Sequence, residues 1–101
     1  MTIQQIYDLA LEMGMKADPR GEKVVKKQLQ KVKKAYEELP KKKKEYFDEE
    51  SLTNPYSDTR IYFGDPKIEV KKILAGIDAN GAEVLLADRL NEKGQRIDLL
   101  I

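Results

Sequence analysis

The groups in this chain that could do chemistry are carboxylates and lysines, because its 101 residues include neither cysteine nor histidine. Disulfides, thiol nucleophiles and the usual zinc, copper and non-haem iron sites go with them, since those need thiolate or imidazole. Oxygen ligands remain. Asp78 is the best placed, because it follows the apolar run Lys72–Ile77, where a parallel strand should present substrate-facing groups at its carboxyl end. The same position suits an aspartate that caps the start of a following helix. Asp58, Asp65 and Glu83 could add oxygen donors for a hard cation, but their spacing matches no calcium loop and turn chemistry accounts for them. Gly76 to Gly81 lies between strand and helix, as a phosphate loop would. A Walker loop needs Lys and then Ser or Thr after its second glycine, whereas here Ala82 and Glu83 follow and the carboxylate would repel phosphate. The glycine pattern of a dinucleotide fold is also absent. These residues assign no catalytic, cofactor-binding or metal-binding position.

The lysine-rich segment from Lys23 to Lys44 is the candidate for nucleic-acid contact, since clustered lysines neutralise phosphates and release counterions. Glu37, Glu38, Glu45, Asp48, Glu49 and Glu50 lie close by in sequence, so a solvated helix face is favoured and no specific nucleic acid is expected. Charged residues make up 37% of the chain, yet the net charge is only +1. No global field therefore draws in nucleic acid or an anionic membrane, and any such binding has to come from a local patch. Neither a signal-peptide pattern nor an apolar run of transmembrane length is visible, which makes the cytoplasm the expected compartment and a membrane an unexpected partner.

The elements that would position these groups are punctuated clearly. Thr2 with Gln5 forms a capping box for a helix expected over Ile3 to Met13, with Gly14 as its left-handed stop. Asp18-Pro19 should open a second helix, Asp18 as the cap and Pro19 in the first turn. In it Val25, Leu29, Val32, Tyr36 and Leu39 follow a heptad seam, expected to pack within the chain against the first helix rather than on a second copy. Pro40 interrupts the seam and should start another helical piece through Lys41 to Phe47. Ser51 to Asp58 reads as the main linker. Arg60 to Phe63 reads as a short strand, turned back by Gly64-Asp65-Pro66 to lie antiparallel to the strand Lys72–Ile77. A helix over Gly81 to Lys93, with Asn80 and Glu83 as capping pair and Ala82, Leu85, Leu86 and Leu90 at helical spacing, then leads to a last strand, Ile97 to Ile101. Two apolar strands joined by a helix should be parallel neighbours with a right-handed crossover. The fold class is therefore α/β: N-terminal helices over residues 1–52, then a small mixed sheet with one right-handed βαβ unit over 53–101. At 101 residues this is a single domain or an N-terminal fragment of a larger α/β protein.

From Asn54 onward the series Asn-Pro-Tyr-Ser-Asp-Thr-Arg-Ile, Gly64-Asp65-Pro66, Glu69 to Asp78 and Ile97 to Ile101 resembles the start of the GTP cyclohydrolase I type 2 homologues. These are also called NGG-one-interacting-factor-three-like proteins, or the dinuclear-metal-centre hexameric family. Ile3 to Leu11 and Ala17 to Gly21 look like a branch of that family with a charged helical insertion. The resemblance implies a metal-dependent, hydrolase-like protein that binds two divalent ions and assembles as a homo-oligomer. Its metal ligands are paired histidines, a later aspartate, and a distant His and Glu, and none of those positions lies in this chain. Only Gly64, Asp65 and Asp78 carry over, as framework positions without a metal. On this reading Ile101 is an artificial or recent end, the frame continues with His-His-Pro, and the chain by itself is not active. The rival reading is a protein-interaction module that uses the charged helical insertion and an uncovered sheet edge.

Overall fold

A computed structural model describes residues 1–101. Helix α1 spans Ile3–Ala17, α2 Glu22–Glu37, α3 Lys41–Lys44 and α4 Gly81–Glu92, while a 3-10 turn covers Glu49–Leu52. The strands are β1, Ile73–Leu74, and β2, Leu99–Leu100, which pair in parallel with Ile73 opposite Leu99 and Leu74 opposite Leu100. The protein is thus α/β, with helices and a small parallel sheet. No helix is long and apolar enough to cross a membrane. The chain divides into two compact units: a helical unit, Tyr7–Arg60, and a sheet unit formed by Met1–Ile6 with Ile61–Ile101.

In the helical unit several boundaries differ from expectation, each for a local reason. Helix α1 runs through Gly14 instead of stopping there. The glycine lets Tyr56 come close, since a Cβ on it would lie 3.2 Å from Cε2 of that ring. Asp18 does not cap α2. Its carboxylate accepts the Arg20 amide at 3.0 Å in an Asx-type turn, and Gly21, at φ 89°, is the residue that precedes the helix. The positive φ suits glycine, because a Cβ there would be strained. The seam of α2 is used inside the unit: Val25 is fully buried, Leu29, Val32, Tyr36 and Leu39 are half-buried, and the helix packs against the Glu49–Leu52 turn. Tyr36 meets Phe47 with ring centroids 4.8 Å apart, and Lys44 Nζ sits 5.1 Å above the Tyr36 ring. Pro40 separates two helical pieces as expected, though α3 ends at Lys44, with a turn from there to Phe47.

In the sheet unit the expected strand Arg60–Phe63 does not form, and Tyr62 and Phe63 are exposed. The antiparallel partner of the return segment is the N-terminus. Thr2 bridges Glu69, the Val70 amide donates to the Met1 carbonyl at 2.8 Å, and the Ile3 amide donates to the Ile68 carbonyl at 3.1 Å. The sheet is therefore a parallel pair plus one isolated antiparallel bridge, not three adjacent strands. Thr2 and Gln5 make the expected capping box, at 2.9 and 3.2 Å. Pairing bonds continue past the short strands, from Gly76 to the Ile101 carbonyl at 2.8 Å and from Asp98 to the Lys72 carbonyl at 2.9 Å. Helix α4 packs on β2, and Glu83, Ala87 and Leu90 form its half-buried stripe. Of the face expected from spacing only Leu90 is covered, whereas Ala82, Leu85 and Leu86 stand exposed. Residues 84–86 are apolar on several sides, and a two-stranded sheet reaches one stripe only.

Candidate functional sites

The carboxyl end of β1 leads into Gly76–Asn80, where an α/β sheet would place its ligand. Asn80, not Asp78, starts α4: its amide donates to Glu83 Oε2 at 2.9 Å, which makes Glu83 a cap. Asp78 is exposed, and its backbone carbonyl accepts the Asn80 amide at 3.2 Å. Asp65 accepts the Lys67 amide at 2.9 Å as a turn residue, and Gly64 holds φ 100° beside it. Asp58 accepts Ser57 Oγ at 3.3 Å in the other unit. The structure therefore does not bring the four carboxylates together. No three His, Cys, Asp or Glu side chains are grouped to hold a metal ion, so the residues present do not fit the dinuclear centre that the resemblance implies.

Polar side chains do converge inside the helical unit, around Asn54 and Tyr56, which lie in the segment read from sequence as the main linker. Asn54 is 2% exposed and uses both ends of its amide. Nδ2 donates to the Tyr7 hydroxyl at 2.9 Å and to the Thr59 carbonyl at 2.6 Å, while Oδ1 accepts the Tyr56 amide at 2.8 Å. The Tyr7 hydroxyl donates to Glu50, and Arg60 closes the network on Asp48 at 2.7 Å and Glu50 at 3.0 Å. Burial, helped by the Glu50 carboxylate, pushes the Tyr7 hydroxyl up to about 12. A second cluster joins Asp18, Arg20 and Tyr56. Arg20 donates to both Asp18 oxygens, at 3.0 and 2.9 Å, and the Tyr56 hydroxyl donates to Asp18 at 2.9 Å. The hydrogen bonds from Arg20 hold the Asp18 carboxyl far below the usual range, and burial raises Tyr56. Both clusters are internally satisfied and hold the 54–60 segment and the α1–α2 turn in place. Neither cluster leaves a buried side-chain nitrogen or oxygen without a partner. The Asn54-Pro55 turn signal marked this place, but its burial follows from contacts distant in sequence.

An open groove of about 570 Å³ lies at the other end of the strands, lined by Glu69, Lys71, Lys72, Gln95, Arg96 and Asp98 among others. The Lys71 and Lys72 amides, both at 2.9 Å, occupy Asp98 Oδ2 and lower its pKa. The lysines of α2 form a further exposed charged group.

Compared with family models, curated proteins and solved structures, this chain matches none.

Proposed function

We propose that this chain is the N-terminal, scaffold-bearing part of a dinuclear-metal, hydrolase-like protein of the NGG-one-interacting-factor-three-like kind, without the metal ligands. The observation that carries the reading is the exposure of apolar side chains around its parallel unit. Ile77 is 101% exposed, Phe63 96% and Leu85 70%, and Val84 and Leu86 stand out beside Leu85 on α4. A parallel sheet with its crossover helix is ordinarily covered on both faces, so these residues suit a scaffold that further polypeptide completes. In this reading the crossover through α4 is right-handed, the Gly76–Asn80 loop borders the metal centre, and the whole protein is a cytoplasmic homo-oligomer. Apolar α4 and Gly76–Asn80 would supply packing and shape, and histidines beyond Ile101 would supply metal ligands.

The test is to read the frame downstream of the Ile101 codon and to express the extended protein. A continuation with His-His-Pro, and about two retained divalent ions per extended chain after dialysis, is the expected result. A stop codon directly after Ile101 in the source gene overturns the proposal. So does an extended chain that retains no metal.

A further inference from the structure

Six lysines of α2, at positions 23, 26, 27, 31, 33 and 34, are all exposed. At about 3.6 residues per turn they fall within an arc of about 160°, opposite Val25, Leu29, Val32 and Tyr36. Val25 is buried and the other three are half-buried, so the apolar side of the helix is turned inward and the lysines outward. With about 1.5 Å of rise per residue, the stripe from Lys23 to Lys34 is about 16 Å long. Only Lys26 is paired, with Glu22 at 3.1 Å; the other five make no salt bridge. The acids that balance them in sequence are partly engaged elsewhere, because Asp48 and Glu50 bind Arg60, and Glu50 also accepts the Tyr7 hydroxyl. Glu37 and Glu38 lie past the end of the stripe.

From this arrangement we infer that the outer face of α2 is a docking surface for the phosphate backbone of duplex nucleic acid, held by charge without sequence preference. Charge complementarity selects a polyanion, and the chemistry of the face narrows the choice. Lysine ammonium groups are point charges that neutralise phosphates without the planar fork that lets arginine read a base edge, and Gln30 is the exposed amide within their arc. The helix itself presents no free aromatic ring for stacking single-stranded bases, because Tyr36, its aromatic, lies against Phe47. An anionic membrane would need the apolar side of the helix, which is already turned inward. The surface is independent of the metal chemistry proposed above, so a failed metal test leaves it standing.

Fluorescence anisotropy of the full chain with two unrelated labelled duplexes, over a range of salt, tests the inference. Both duplexes should bind equally within about twofold. With about four phosphates neutralised, affinity should fall about a hundredfold between about 50 and about 200 mM salt. The variant K23Q/K27Q/K31Q/K34Q, checked by circular dichroism, should bind at least about tenfold more weakly with a much flatter salt dependence. If that variant loses helix content, the single change Lys27→Gln serves, and should lower the slope of log K against log salt by about 0.9. Failure of the parent to bind either duplex at low salt overturns the inference, as does unchanged binding by the variants. Tighter binding to an acidic peptide or to phosphatidylserine vesicles than to duplex also overturns it, as does strong preference for one sequence.

Discussion

The two units solve the same problem with different means. The helical unit, Tyr7–Arg60, leaves four large apolar side chains exposed, whereas the slightly smaller sheet unit leaves ten. Val25 gives the helical unit a fully buried anchor, and Asn54, Tyr7, Glu50 and Arg60 tie its irregular segment through side-chain hydrogen bonds. The sheet unit relies on backbone pairing, between β1 and β2 and between the N-terminus and residues 66–70. Hydrogen bonds satisfy the backbone but remove little apolar surface from water, so pairing alone does not complete a core. Local order and burial are separable, and in this chain they are distributed unequally.

If that contrast is right, disturbance of the helical unit should be costly and disturbance of the exposed apolar side chains in the sheet unit nearly free. The largest effect is expected from Val25→Asp, which places a carboxylate at a fully buried position; a loss on the order of 4 kcal/mol in urea unfolding would follow. A cost below about 1 kcal/mol would show that α2 is loosely held. Next is Asn54→Ala, which strands the Thr59 carbonyl and the Tyr56 amide and should cost about 2 to 3 kcal/mol by the same measurement.

Smaller effects should appear with pH. The Asp18 carboxyl is held low by Arg20, so its contribution is present above the ordinary carboxylate range and is lost as pH falls through and below it. Tyr7 has the opposite sign. With its hydroxyl raised to about 12, its contribution is full below the ordinary tyrosine value of about 10 and is lost as pH rises from there. Thermal melts followed by tyrosine absorbance should show early unfolding of the helical unit at both extremes, and Tyr7→Phe should remove part of the alkaline loss. The smallest effect on stability belongs to Ile77→Ser with Leu85→Gln, expected to be within about 0.5 kcal/mol of the parent. The same pair should reduce binding of a hydrophobic dye, since it removes exposed apolar surface. A large loss of stability from this double variant would mean that these side chains already have a covering surface.

Both caps that depend on neighbours within three residues were legible from residue order. Thr2 with Gln5 and Asn80 with Glu83 form where expected, and Pro40 breaks the helical run as its ring requires. The parallel pairing of residues near 73 and 99 was legible as well, because two apolar runs separated by a helix have few other ways to meet. The candidate carboxylates were harder to read. Asp65 and Glu83 could be identified as turn and cap, and the Asn80–Glu83 pair already marked where α4 begins, whereas the order of residues left open whether Asp78 would cap the helix or face a ligand.

Sequence by itself determined where the helices lie, the Thr2–Gln5 and Asn80–Glu83 caps, the pairing of the two parallel strands and the absence of imidazole and thiolate groups, because each depends on residue type or on the order of apolar runs and near neighbours. Tertiary structure decided what long-range contacts set. Gly14 became a site of close approach to Tyr56 instead of a helix stop, Asp18 became the acceptor for Arg20 and Tyr56 instead of a cap, and Asn54 became a buried hub instead of a linker residue. Residues 66–70 found the N-terminus as a partner, not the neighbouring 60–63 segment. For Gly14, Asn54 and residues 66–70 the selecting partner lay tens of residues away, where spacing and propensity carry no information, whereas Asp18 answers first to Arg20 two residues on and then to the distant Tyr56.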